Sequence, residues 1–307
     1  MRYVNLYAFF FLAFSAVVFA ETPADDRVAY TRDQIATMDD GDLCPLAANT
    51  KYHHHFVLID ATAPLDSDQI KLVERLVLSE KYLDQMKPWD KLTIMRLWDV
   101  RPSENKPLFS KCRPRSGNPK SPYKIDQYNK WTEAQSDLTL VYKNLFLGGV
   151  KGALSEIYSP KIINSSPNQS SGSPIMGQLK EISRLPDLDF TNSSGYESRS
   201  LTIVSDLAQN TDKLPFYELC PGSKKCPSWE KFKKNKKYRM WAKKSIPNFG
   251  TNFEVKIIYL NSNWDVNIDK EILEFWFDYF EDAGVEDIDF DIETESSNAN
   301  ANANLKP

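Results

Sequence analysis

The chain has little of what enzyme motifs are built from. Its three histidines are contiguous, His53 to His55, so a Ser-His-Asp arrangement would have to draw on that one stretch. Ser171-Gly172-Ser173 is not a G-x-S-x-G elbow, because the flanking glycines are absent. Neither G-x-G-x-x-G nor G-x-x-x-x-G-K-S/T occurs, which removes the common dinucleotide and P-loop signatures. There are four cysteines and no C-x-x-C, so a zinc cluster or thioredoxin-type site is disfavoured. The net charge is only −4, which argues against a polyanion-coated protein.

What is present is globular material. At 307 residues and 41% hydrophobic, the chain can fill one α/β domain with elaborations. Arg2 precedes an apolar run from Leu6 to Ala20, and a polar Glu-Thr-Pro-Ala-Asp-Asp follows. Residues 1–20 read as a secretory signal peptide, with an uncleaved anchor as the alternative; the run is short for a spanning helix. The body is expected outside the cytoplasm, secreted or periplasmic, or else N-terminally membrane-anchored. An even cysteine count in such a protein suggests disulfides. Four cysteines allow three pairings. Cys220 and Cys226 flank Pro221-Gly222-Ser223 and close a small loop easily, which leaves Cys44 with Cys112.

Residues 21–51 are polar and irregular. His53 and His55 could share one side of an extended segment and bind a metal; the alternative is a solvated start of a strand. Phe56 to Leu65, FVLIDATAPL, has a continuous apolar run before Asp60, the pattern of a strand buried on both faces. Asp60 and Thr62 would stand at its carboxyl end, where open α/β sheets bind ligands. Asp66 to Lys87 has helical apolar spacing, and Pro88 ends it. Lys91 to Trp98 is a second strand. Pro107 to Cys112, bounded by prolines, is an antiparallel edge strand that carries Cys112 back toward Cys44.

A long helix is predicted over Trp131 to Ile157, bent at Gly148-Gly149. A Ser/Asn/Pro-rich loop follows from Ser159 to Ser173. Pro174 to Leu185 is a helix, Arg199 to Asp206 a buried strand, and 214–245 an insertion-like segment. Phe253 to Leu260 is a strand and Ile268 to Ala283 a helix. Glu286 to Glu293 alternates apolar and acidic residues, as a charge-guarded edge strand does. Residues 295–307, rich in Asn and Ala, read as disordered. This order predicts a mainly parallel, doubly wound α/β sheet, Rossmann-like in architecture, with helices on both faces and one antiparallel edge strand.

That order and three of its stretches resemble the von Willebrand factor A-type domain, over roughly residues 52–294. In that family the carboxyl edge of the sheet carries a metal-ion-dependent adhesion site. It uses D-x-S/T-x-S after the first strand, a Thr or Ser before a Gly-containing helix, and an Asp after the fourth strand. Asp60 and Thr62 match the first element. Ser173, with Met176-Gly177-Gln178-Leu179, looks like the second, and Asp206 matches the third. The resemblance implies a magnesium or other divalent cation held by Asp60, Thr62, Ser173 and Asp206, all hard oxygen donors. Pro64 stands where the second hydroxyl belongs, so a ligand is missing unless Asp66 or water replaces it. The implied function is a non-enzymatic binding or adhesion module for a protein or acidic surface ligand. The alternatives are a metal-assisted hydrolase using Asp60 and Asp206, or a structural subunit of an envelope assembly.

Lys224 to Lys244 is a second feature, basic and interleaved with Trp229, Phe232, Tyr238 and Trp241. An exported protein is a poor partner for nucleic acid, so an anionic membrane or polymer is the better partner. The plainer reading is an amphipathic helix with its aromatics on the sheet and its lysines in water.

Overall fold

The computed structural model describes residues 41–44, 53–62, 64–77, 79, 82–83, 86–97, 106–128, 134–159, 173–185, 188, 190, 196–220, 225–260 and 265–292. The expected signal peptide, the segment 21–40, most of the Ser/Asn/Pro-rich loop and the Asn/Ala-rich tail lie outside these residues.

The fold is α/β. Its strands are β1 (His53–Asp60), β2 (Lys91–Leu97), β3 (Phe109–Cys112), β4 (Ser198–Ser205), β5 (Asn210–Thr211), β6 (Leu214–Pro215), β7 (Phe253–Tyr259) and β8 (Asp287–Ile292). Six of them form one sheet in the order β3-β2-β1-β4-β7-β8; β5 and β6 pair separately and antiparallel. Within the large sheet all pairs are parallel except β2 with β3. The inner parallel strands β1, β4 and β7 run as largely apolar segments because side chains on both of their faces are covered, whereas β8 at the edge alternates apolar and acidic residues.

The helices are α1 (Ser67–Val77), α2 (Gln135–Leu140), α3 (Gly148–Ile157), α4 (Ile175–Ile182), α5 (Phe216–Leu219), α6 (Trp229–Lys234), α7 (Arg239–Ser245) and α8 (Val266–Asp282). A π-helical stretch, Val141–Leu147, joins α2 to α3. Strand alternation sorts the apolar residues into two cores. One holds Phe56, Leu58, Leu201 and Ile203 with Leu179 of α4 and Trp276 of α8. The other holds Val57, Ile59, Ile94 and Val204 with Val73 of α1 and Leu154 of α3.

Several expectations change. The histidines lie within β1 rather than ahead of it. His54 is fully buried against Thr93, with Nε2 and Oγ1 2.8 Å apart. His53 and His55 do share a side, and their Nδ1 atoms meet the hydroxyls of Ser198 and Ser200. α1 stops at Val77, well short of Lys87. At Gly148-Gly149 the helix passes from its π-helical stretch into α3. Gly149 is needed for proximity, since a Cβ there would come within 2.7 Å of the Phe109 ring. The segment 214–245 is not peripheral: Leu214, Phe216 and Trp229 are fully buried in the first core. Its basic part forms two short helices, α6 and α7, rather than one. Phe232 is buried with Trp229, and Tyr238 and Trp241 pack against the same core.

Both disulfides form, Cys44–Cys112 and Cys220–Cys226. The antiparallel register places Cys112 beside Lys91 at the start of β2, where its amide donates to the Asp42 carbonyl at 2.7 Å. Beyond β3, the Arg113 guanidinium grips both oxygens of Asp126 at 3.2 and 3.0 Å, with each side chain 1% exposed. Burial pushes the Asp126 carboxyl up, but Arg113 and the Ser116 amide outweigh it and hold the group below the usual carboxylate range. This pair pins the basic loop after β3.

Three variants, measured by chemical denaturation, test this account. Replacing Cys44 and Cys112 together by Ser, which opens a separation of 68 residues, is expected to cost about 4 kcal/mol. The same change at Cys220 and Cys226, separated by 6, should cost about 2 kcal/mol. Equal costs would contradict the loop-closure argument. Asp126→Asn should cost about 3–5 kcal/mol by leaving the guanidinium without its carboxylate. Because the folded pKa is lowered, the wild-type contribution is present above the ordinary carboxylate range and is lost as pH falls through the folded value.

Candidate functional site

The site is built at the carboxyl end of β1. Ile59 pairs with Val204 of β4, so the next residues, Asp60 and Ser205, stand side by side. Asp60 is 8% exposed. One of its oxygens accepts the Thr62 amide at 3.0 Å and the Thr62 hydroxyl at 2.7 Å. The other accepts the hydroxyls of Ser173 at 3.0 Å and Ser205 at 2.7 Å. A carboxylate has about four lone-pair sites, so these donors saturate it. The Asp60 side chain thus ties together the ends of β1 and β4 and the loop before α4.

That loop is held from behind. The Ser173 carbonyl accepts the Asn210 amide at 2.9 Å, and the buried Gln209 side chain accepts the Met176 amide at 2.9 Å. Gln209 therefore satisfies one of the amides that the first turn of α4 leaves open. The chain turns sharply after β4. Leu207 adopts φ +55°, a left-handed conformation strained for a branched side chain. The Ser205 hydroxyl accepts the Leu207 amide at 2.9 Å, and the Trp276 indole donates to the Leu207 carbonyl at 2.8 Å.

Asp206 sits in that turn. One oxygen accepts the Ala208 amide at 2.9 Å and the other the Tyr217 hydroxyl at 2.8 Å. Burial, and then the negative charge of Asp60, push its carboxyl up to about 6; the Ala208 and Tyr217 donors only partly offset this. Burial and the nearby Asp206 charge raise the Tyr217 phenol well above its ordinary value, so it remains a proton donor. Thr62, Pro64 and Tyr217 are exposed and form an open rim.

All four residues expected from sequence thus lie in one neighbourhood. Asp60 touches Thr62 and Ser173 directly, and its charge acts on Asp206. Pro64 contributes no side-chain oxygen. One oxygen of Asp66 caps α1, accepting the Asp68 and Gln69 amides at 2.9 Å each, while Gln69 reaches back to the Asp66 amide. Ser205 and Tyr217 were not expected. Strand alternation alone could have pointed to Ser205, which falls on the face of Leu201 and Ile203. Nothing local marks Tyr217.

Among the described residues, no group of three or more His, Cys, Asp or Glu could hold a metal ion. The site instead offers two carboxylates and several hydroxyls. A hydroxyl that donates its proton to Asp60 keeps lone pairs for a cation, so this all-oxygen set suits magnesium or calcium. The mutual repulsion of Asp60 and Asp206 is what a cation would relieve.

Asp206 supplies a pH test. Its folded pKa lies above the unfolded value, so its protonated form favours the fold below about pH 4, and that contribution is lost as pH rises through about 6. Asp206→Asn should abolish this loss and raise stability at pH 7 by up to about 3 kcal/mol. Denaturant midpoints across this range check it; a variant less stable than wild type at pH 7 would count against it.

The described residues include no helix long and apolar enough to cross a membrane. The two disulfides fit an oxidising compartment. No protein-family profile matches the chain, and no curated protein matches it.

Proposed function

We propose that this chain is an exported binding module of the von Willebrand factor A type, doubly wound, which captures a carboxylate-bearing protein or surface polymer at the carboxyl edge of its sheet. The observation that carries this reading is the convergence on Asp60 of hydroxyls from residues 113 and 145 positions away, with Thr62 beside them. The strand order, its single antiparallel edge and the helix side chains in both cores support the architecture.

Thr62, Ser173 and Asp206 would hold a divalent cation, with Asp60 fixing the hydroxyls from behind. When bound, the cation supplies a positive centre that attracts an incoming carboxylate. The protein's own part is positional. Asp60 orients the two hydroxyl oxygens and keeps their protons turned away from the rim. Tyr217 holds one Asp206 oxygen in place. The missing hydroxyl at Pro64 leaves a position for water.

A second reading is a hydrolase at the same edge. Its support is the Asp206 carboxyl, which titrates near 6, as a general acid or base requires. The exposed rim of Thr62, Pro64 and Tyr217 favours the first reading, because large partners dock on open faces and small substrates in enclosed pockets.

Millimolar magnesium is expected to raise the melting temperature of the wild type, and Asp60→Ala should abolish the rise. An unshifted wild type would sink the cation-dependent reading. Loss of partner capture in chelator, measured by pull-down from envelope extract, is the matching functional result.

A further inference from the structure

The outer surface of α6 and α7 carries positive charge that the fold leaves uncompensated. α7 turns Tyr238, Trp241, Ala242 and Ser245 inward and exposes Arg239, Met240, Lys243 and Lys244 on one stripe. The turn between the helices adds exposed Lys236 and Lys237. Of the acidic side chains near these helices, some pair with other cations, and Asp278 of α8 lies close to Glu230, Glu274 and Glu281. Glu230 reaches Lys233 and Lys234, Asp282 reaches Lys233, and Glu181 reaches Arg184. Among the described residues, Lys236, Lys237, Arg239, Lys243 and Lys244 are in no ion pair.

The patch extends onto α4. The Lys180 ammonium donates to the Lys244 carbonyl, which joins the two helices. Burial, and then repulsion from Arg184 and Lys244, lower the Lys180 pKa, so these cations feel one another. The aromatics that could have formed a nucleic-acid or sugar platform are instead spent in the core. What faces outward is charge, with one apolar side chain, Met240, 60% exposed in its midst.

We propose that this stripe docks the protein on an anionic lipid surface, the cations meeting headgroups and Met240 entering the headgroup layer. Its chemistry fits a diffuse array of charge better than a defined anion. The cations are mainly lysines, compact and strongly hydrated, without the planar fork that arginine presents to one sulfate or phosphate. Juxtaposed lysines with a protruding apolar residue are what an interfacial surface needs. This contact is independent of the Asp60 site and stands or falls without it.

The test is cosedimentation of the full chain with vesicles of phosphatidylglycerol and phosphatidylcholine, against phosphatidylcholine alone. Binding is expected only to the anionic vesicles and should weaken as salt rises. Lys243→Glu with Lys244→Glu should reduce it about tenfold or more, and Met240→Ser about threefold. Both lysine side chains are exposed, so the melting temperature should not change; should that variant misfold, Lys236→Glu with Lys237→Glu asks the same question. Equal binding to both vesicle types would overturn the proposal, since apolar insertion elsewhere would suffice. So would unchanged binding by the charge-reversed variants. Retention on heparin without vesicle binding would overturn it in favour of a polyanionic polymer.

Discussion

A buried carboxylate must find donors or give up its charge, and Asp60 finds four. Each hydrogen bond to an ionised group contributes about 1.5–3 kcal/mol. The donors come from the end of β1, the end of β4 and the loop before α4, so this one side chain fixes the distance between three stretches far apart in sequence. The polar rim of the sheet is organised outward from it. Ser205 passes the order on to the β4 turn through the Leu207 amide. Ser173 passes it to Asn210, next to the Gln209 that caps α4.

The two carboxylates of the site are therefore unequal. Asp60 is saturated by donors, whereas half-buried Asp206 nearby has fewer and is pushed up toward neutrality. That difference creates the chemistry. A saturated group positions its neighbours, and an under-compensated one attracts either a proton or a cation. The left-handed backbone at Leu207 lies directly after Asp206, and the buried Trp276 holds that turn from behind.

The sheet makes this arrangement rigid. Apolar cores cover both of its faces, so the carboxyl ends of β1 and β4 are held in register by packing as well as by ladder bonds. The segment 214–245 shows how composition can mislead about such packing. Its lysines suggest a solvated appendage, yet Phe216, Trp229 and Phe232 complete one core, and Tyr217 from the same stretch reaches the site. The basic stripe outside and the aromatic layer inside are two sides of one pair of short helices.

Much of this was legible because it is local. Apolar runs around Phe56, Leu201 and Val255 mark buried strands, Pro107 marks an edge, and the carboxyl-end placement of Asp60 and Asp206 follows from where those runs stop. The cysteine pairing was legible for a similar reason: one loop is short, and the edge strand points the other cysteine home. The spacing extends the helix after Asp66 too far because Leu76 and Leu83, seven residues apart, fit one helical face, although the chain leaves the helix between them. That one oxygen of Asp66 caps α1 was not legible, because a cap and a ligand look alike in sequence.

Residue pattern by itself determined the α/β class, favoured the two disulfide pairs that form and pointed to four residues that lie together at the sheet's edge, because strand period, loop length and strand ends depend on near neighbours. Tertiary structure alone decided that Ser205 and Tyr217 join this neighbourhood, that Asp66 caps a helix, and that the basic segment is half core. Those outcomes rest on parallel register and on contacts between residues far apart in the chain, where no local periodicity carries information.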